Sequence, residues 1–180
     1  MKVSIIIANY NGSKFLSKLF RSLNNQTLND FEVIVVDNKS TDKSLSVLET
    51  ISKNQSFNFR FKLVKNEQNA GYCEGNNIGL EVAVGEYTVF LNNDTYVKEN
   101  WLEELVKVMD DNPLVGACQS RLIEMQTGAI QMDGRLLDLF GWSRGLIIRH
   151  NKLSLSTTPF YCSGASVMVR RTNLPAGGFD

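Results

Sequence analysis

Leu91-Asn92-Asn93-Asp94-Thr95 decides the fold, because Tyr87-Thr88-Val89-Phe90 runs straight into it. Residues 87–90 are β-branched or aromatic and read as a buried strand. Two amides and a carboxylate at its end carry acceptor oxygens to one edge of a sheet. Open α/β sheets bind ligands there, outside the carboxyl ends of their strands. The pattern repeats upstream. Ile5-Ile6-Ile7 leads into Ala8-Asn9-Tyr10-Asn11, Val33-Ile34-Val35-Val36 into Asp37-Asn38, and Phe61-Lys62-Leu63-Val64 into Lys65-Asn66. Apolar runs that each end in Asn or Asp predict one shared polar rim. That rim is the expected site.

Helical patterns fill the spaces between these runs. Asn11-Gly12-Ser13 turns the chain, and Ser13 is expected to cap a helix whose apolar stripe is Phe15, Leu16, Leu19, Phe20 and Leu23. A shorter helix carries Leu45, Leu48 and Ile51, and residues 53–58 read as a polar loop. Asn69-Ala70-Gly71-Tyr72 opens a third helix with Ile78, Leu80, Val82 and Ala83, which Gly85 is expected to close. A fourth begins near Asn100. Strands alternating with helices at this spacing predict βαβ units and a mostly parallel sheet with helices on both faces.

Beyond Pro113 the rhythm changes. Residues 115–123 read as a strand, Gln126-Thr127-Gly128 as a turn, and residues 160–169 as containing a further strand that begins near Cys162. Between them Gly134, Gly141 and Gly145 punctuate an irregular stretch with Asp133, Trp142, Arg144 and His150. The expected organisation is one domain over 1–180, with residues 1–112 as a nucleotide-binding half and 113–180 as the start of a half that shapes a second substrate's pocket.

Composition narrows the classes. Lys+Arg and Asp+Glu are equal at 19 each, so no global field draws the chain to nucleic acid. Three widely spaced cysteines without a CxxC read as free thiols, and the single histidine cannot build a multi-histidine metal site. No stretch of about 18 apolar residues is present to span a bilayer, and no signal peptide is recognisable. The expected location is cytoplasmic, at most peripheral at the inner face of the membrane.

The usual phosphate cradles are missing: the first βα turn has no GxGxxG, and no GxxxxGK[ST] occurs. A divalent metal on a carboxylate is the alternative way to hold a diphosphate. Oxygen ligands favour Mg²⁺ or Mn²⁺, and Asp94 is placed to supply one. Asp37, ending a neighbouring strand, is a candidate acceptor for a nucleotide base, and Asp42 a second candidate for the base or the ribose. The plainer reading of Asp37 and Asp42 is turn and cap duty. For Arg170 and Arg171 it is a solvated pair rather than phosphate ligands.

Together, Ser4-Ile5-Ile6-Ile7-Ala8-Asn9-Tyr10-Asn11, Val36-Asp37-Asn38-Lys39-Ser40-Thr41-Asp42, the 69–79 stretch Asn-Ala-Gly-Tyr-Cys-Glu-Gly-Asn-Asn-Ile-Gly and Leu91-Asn92-Asn93-Asp94-Thr95 resemble the successive motifs of inverting family 2 glycosyltransferases. Cys162-Ser163-Gly164-Ala165, Arg170-Arg171 and Gly177-Gly178-Phe179-Asp180 resemble the rhamnosyltransferase-like branch. The resemblance implies the GT-A fold and transfer of a sugar, with inversion, from a nucleoside diphosphate sugar to a hydroxyl of a saccharide or lipid-linked acceptor. Within the branch it leans towards deoxythymidine diphosphate-rhamnose and a polysaccharide.

It also implies roles. Asp37 would bind the base, Ala8, Asn9 and Tyr10 would line the base and ribose pocket, and Asn69, Gly71, Gly75 and Asn76 would shape the ribose and sugar region. Asn92, Asn93 and Asp94 stand where the family places its DxD motif, with Asp94 on the metal and the donor diphosphate. Asn92 replaces the motif's first aspartate and leaves one carboxylate. In the family the Gly-Gly-Phe-Asp motif is followed by an acidic pair that includes the general base. Asp180 aligns with the aspartate that begins that segment, so the base is expected beyond Asp180 and the chain is expected to be C-terminally truncated. A donor-binding module that cannot turn over is the alternative to a complete enzyme.

Overall fold

A computed structural model describes residues 1–53, 57–132, 135–137, 143–145 and 162–179, with the backbone alone for 132, 135–137 and 143–145. Asp133, Gly134, Gly141, Trp142, His150, Phe160 and Asp180 lie outside the described residues.

The expected strands are β1 (Val3–Asn9), β2 (Phe31–Asp37), β3 (Arg60–Lys65) and β4 (Tyr87–Leu91). Between and after them run α1 (Ser13–Asn24), α2 (Ser44–Ser52), α3 (Gly71–Glu81) and α4 (Trp101–Asp111). The second half adds β5 (Ala117–Gln119), β6 (Leu122–Ile123), β7 (Ile130–Met132), β8 (Arg135–Leu137), β9 (Ser143–Gly145) and β10 (Ser166–Arg170), then a 3₁₀ turn, Arg171–Asn173. The main sheet has the order β3-β2-β1-β4-β10-β5. Its first four strands are parallel, while β10 runs antiparallel to both β4 and β5. Two short hairpins, β6-β7 and β8-β9, stand apart from it.

Burial explains why β1, β2 and β4 read as unbroken apolar runs: nearly every residue in them is buried, because both faces of a parallel sheet are covered. One face packs Ile5, Ile7, Val33, Val35 and Val89 against Leu16, Leu19 and Leu23 of α1, Leu48 of α2 and Leu102, Leu105 and Met109 of α4. The other packs Ile6, Ile34, Val36 and Phe90 against Ile78 and Leu80 of α3. At the edge, β3 alternates exposed and partly buried positions, as a strand with one free side does.

Several local expectations change. Ser13 is the first helical residue of α1 rather than its cap, and makes no side-chain cap. The 53–58 loop is not purely polar: Phe57 stacks on Phe59 at 4.9 Å and joins Phe20 in an aromatic cluster. α3 ends at Glu81, before Gly85 and before Val82 and Ala83. Gly85 serves close approach instead, since a Cβ there would lie 2.4 Å from the Ser4 backbone nitrogen. Residues 115–123 form two strands, β5 and β6, broken at Ser120 and Arg121. Gln119 ends the pairing with β10, and the chain then leaves for its own hairpin.

Candidate functional site

The C-terminal ends of the parallel strands meet as a bonded rim. Asn9 and Asp37 are register partners of β1 and β2, and Lys65 faces Asp37 from β3. Asn93 Nδ2 donates to Asn9 Oδ1 at 2.9 Å, and Asn9 Nδ2 donates to Asp37 Oδ1 at 2.8 Å. The Ser40 hydroxyl donates to the same Asp37 oxygen at 2.7 Å, while the Ser40 N–H donates to Oδ2 at 3.1 Å. A second branch runs outward: Asn66 Nδ2 to Asn38 Oδ1 at 2.6 Å, then Asn38 Nδ2 to the Gly71 carbonyl at 2.9 Å. Amides serve here because each offers a donor and an acceptor and so passes the network on.

Asp37 is 2% exposed, and its carboxylate already accepts three hydrogen bonds. A carboxylate has about four acceptor positions, so one remains, on Oδ2. Asp94 is the opposite case. It lies exposed just past β4, and its carboxylate has no hydrogen-bond or ion-pair partner among the described residues. Asn92 beside it is tied through its backbone, its N–H donating to the Ala165 carbonyl at 3.1 Å.

The structure sorts the other residues singled out by sequence. Ala8 is half-buried and Tyr10 is 46% exposed, both at the end of β1. Asn69 Oδ1 accepts from the Gly71 N–H at 3.0 Å, an Asx turn that opens α3, and Gly71 takes φ +78°. Beside this turn lies a cavity of about 440 Å³ lined by Asn66, Glu67, Gln68, Ala70, Glu74 and Ile78. Asn76 is 1% exposed and its amide donates back to the Tyr72 carbonyl at 2.9 Å, so that side chain turns inward. Gly75 lets α3 press onto the rim, as a Cβ there would meet Asn38 Nδ2 at 2.7 Å.

Asp42 is taken up by two helix N-termini. Its Oδ2 accepts the Ser13 N–H at 3.1 Å and its Oδ1 the Ser44 N–H at 2.8 Å, so one carboxylate serves the N-termini of α1 and α2. Desolvation pushes its pKa up, but the hydrogen bonds from Ser44 and Ser13 outweigh it and hold the group down at about 2.

Arg170 is half-buried and Arg171 exposed, and both are tied to backbone carbonyls away from the rim. Arg170 Nη2 donates to the Met109 carbonyl at 2.9 Å, and its guanidinium lies over the Tyr87 ring at 5.2 Å, at the entering end of β4. Arg171 Nη1 donates to the Ala83 carbonyl. Both rivet the end of β10 to the first half. Cys73, Cys118 and Cys162 are free thiols, and burial first, then the neighbouring Cys162, raises Cys118 to about 12.

Sequence reasoning passed over Asn11, Ser40 and Asn66 as individual site residues. Asn11 takes φ +52° and its Oδ1 accepts the Thr41 N–H at 2.8 Å and the Asp42 N–H at 3.2 Å, joining the first two βα loops. Its signal was an Asn next to a Gly in a turn, where positive φ is tolerated.

Strand order, cover on both faces and a polar edge at the strand ends define an open, mostly parallel α/β sheet fold. Residues 4–174 match the family Glycosyl transferase family 2, and the chain belongs to it. An uncharacterized glycosyltransferase of Haemophilus influenzae is 30% identical over 175 residues, covering 96% of this chain and 52% of that protein. The crystal structure of S. aureus TarS 1-349 in complex with UDP-GlcNAc superposes with a TM-score of 0.64 at 28% identity, over 75% of this chain and 39% of that one. The mannosyltransferase PcManGT from Pyrobaculum calidifontis, in complex with GDP-Man and Mn2+, gives 0.62 at 26% identity, over 68% and 36%. The chain thus spans about half the length of the first of these relatives and less of the others. The fold is GT-A, with a mostly parallel central sheet.

Among the described residues no three His, Cys, Asp or Glu side chains stand together as a metal cage, and no helix is long and apolar enough to cross a membrane. A lone exposed carboxylate still fits a small hard cation of the Mg²⁺ type, which is commonly held by one or two carboxylates plus substrate phosphates and water.

Proposed function

We propose that the rim binds a nucleoside diphosphate sugar and that the family activity of the whole protein is inverting transfer of that sugar to a hydroxyl acceptor. The observation that carries this reading is Asp94, a free exposed carboxylate beside a prearranged amide and carboxylate network. In this reading Asp94 holds Mg²⁺ or Mn²⁺ together with the donor diphosphate, and Asn92 and Asn93 flank it. The metal would neutralise charge on the departing diphosphate. Asp37 uses its remaining acceptor position for a donor group of the base, with Asn9 and Ser40 fixing its orientation. Ala8, Asn9, Tyr10, Asn69 and Gly71 line the nucleoside side, and the cavity beside Asn66 and Ala70 is its outer wall. Asp42 and Asn76 support the loops and α3 from behind.

UDP-GlcNAc and GDP-Man in the solved relatives support a donor defined by class, a nucleoside diphosphate sugar, over one defined by a single sugar such as rhamnose. Transfer also needs a base for the acceptor hydroxyl, typically a contribution of about 10² to 10⁴ in rate. Asp37, Asp42 and Asp94 have other duties in this reading, so none of them is proposed as that base. Isothermal titration with UDP, GDP and dTDP should show binding in Mg²⁺ or Mn²⁺ that is largely lost in chelator. Equal affinity with and without metal would remove Asp94 from the proposed role. Fast acceptor-dependent turnover by 1–180 would place the base inside it.

A further inference from the structure

A second concavity, of about 590 Å³, lies between α1 and the loop that follows β4. It is lined by Lys18, Arg21, Ser22, Asn25, the 96–99 segment and Asn100, and begins two residues beyond Asp94. Lys18, Arg21 and Lys98 are all exposed, and none is ion-paired to a carboxylate among the described residues. The single carboxylate in the lining is Glu99. In a chain of zero formal net charge this is a local excess of cations.

Three features make it a built groove instead of scattered surface lysines. The α1 sequence contains no acidic residue, and Lys14, Lys18 and Arg21 stand at i, i+4 and i+7 on its outer side. At about 1.5 Å rise per residue they form a row of cations about 10 Å long. The far wall is pinned: Gln26 Nε2 donates to the Lys98 carbonyl at 2.8 Å, the Thr27 N–H to the Glu99 carbonyl at 2.9 Å, and the Val97 N–H to Ser22 Oγ at 3.2 Å. Lys18 is held at the mouth, its Nζ 4.3 Å from the centre of the half-exposed Tyr96 ring.

We propose that this groove is a polyanion subsite, which holds a phosphodiester-bearing acceptor chain and leads its end towards Asp94. A row of like charges one helical turn apart suits a repeating anion better than a single one. Two of the three lining cations are lysines, which bind phosphate as point charges without the planar geometry that a carboxylate pair demands. A bilayer surface meets proteins along flat or convex faces, and a concavity between two pinned walls suits a chain instead. The orientation towards Asp94 rests on the donor reading above. The binding itself does not.

The test uses linear inorganic polyphosphate as probe, with neutral dextran, orthophosphate and phosphatidylglycerol vesicles as comparison arms. Polyphosphate is expected to bind the 180-residue chain, to weaken with added salt as the Debye length shrinks, and to remain bound when UDP saturates the rim. The double substitution Lys18→Glu and Arg21→Glu should weaken it at least tenfold, while Lys43→Glu with Lys107→Glu, an equal charge change elsewhere, should weaken it less than threefold. Unfolding temperature reports whether each variant is folded, and UDP affinity should stay within twofold. No polyphosphate binding, equal loss in both double variants, displacement by UDP, or binding to vesicles alone would each overturn the subsite. Loss of UDP binding in the unaltered chain would count against the donor reading only.

Discussion

The two halves of the molecule put their polar side chains to opposite ends. In the first, polar side chains at the strand ends bond sideways to one another: Asn93 to Asn9, Asn9 to Asp37, Asn66 to Asn38. In the function proposed above they form the surface that receives the donor. In the second, Arg170 and Arg171 reach back across the chain and bond to Tyr87, Met109 and Ala83. They hold one strand in place. The difference follows from topology. Parallel strands bring all their carboxyl ends to one edge, whereas β10 runs the other way, so its trailing residues arrive at the edge where β4 begins. A motif's position on the sheet thus decides whether its side chains gather at the carboxyl edge or rivet the opposite one.

That contrast can be broken by substitution. Asp94→Ala removes an exposed, unpartnered carboxylate, so it should fold normally and lose about 100-fold or more in metal-dependent diphosphate affinity by calorimetry, as expected for loss of a metal ligand at a charged group. If it destabilised the protein while sparing binding, the rim would be structural. Arg170→Ala should do the reverse. It forfeits charge-assisted bonds to the Tyr87 hydroxyl and the Met109 carbonyl and should cost about 2–3 kcal/mol in denaturant unfolding, with UDP affinity unchanged.

Asp37→Ala tests the boundary between these behaviours, because the same carboxylate organises the rim and is offered to the base. Nucleoside and nucleotide binding should both weaken, by about 1.5–3 kcal/mol. An effect on diphosphate-bearing ligands only would move Asp37 to another part of the donor.

The smallest effect concerns Asp42. Its folded pKa of about 2 lies below the ordinary 3.8, so ionised Asp42 stabilises the fold fully above about pH 4. That contribution is lost as pH falls from 3.8 towards 2, the range in which the folded group itself protonates. Because the group is exposed, the pH-linked part should stay below about 1 kcal/mol. Comparing unfolding of Asp42→Asn and the unaltered chain between pH 5 and pH 2 should show the two curves converging. Parallel curves would mean that the helix N-termini do not depend on the charge.

The sequence by itself carried the first half and its rim. Apolar runs of period-free β-branched residues, helical stripes such as Leu16, Leu19, Phe20 and Leu23, and an Asn or Asp closing each run are local signals, and a parallel sheet lines up strand ends without further instruction. Tertiary structure decided what depends on distant partners. The sequence left Asp42 open between nucleotide ligand and cap, and the N–H groups of Ser13 and Ser44 on its two oxygens give it cap duty, while the packing of α3 turns Asn76 inward. Phe57 sat in a polar-looking loop and joined an aromatic cluster. Asn77 passed as one more polar helix residue, yet its amide accepts from the Phe179 N–H at 2.8 Å and donates to the Phe179 carbonyl at 2.9 Å, fastening α3 to the chain's far end. Periodicity reports which face of an element is buried. Only the packed chain shows which residue, a hundred positions away, arrives to use a given hydrogen bond.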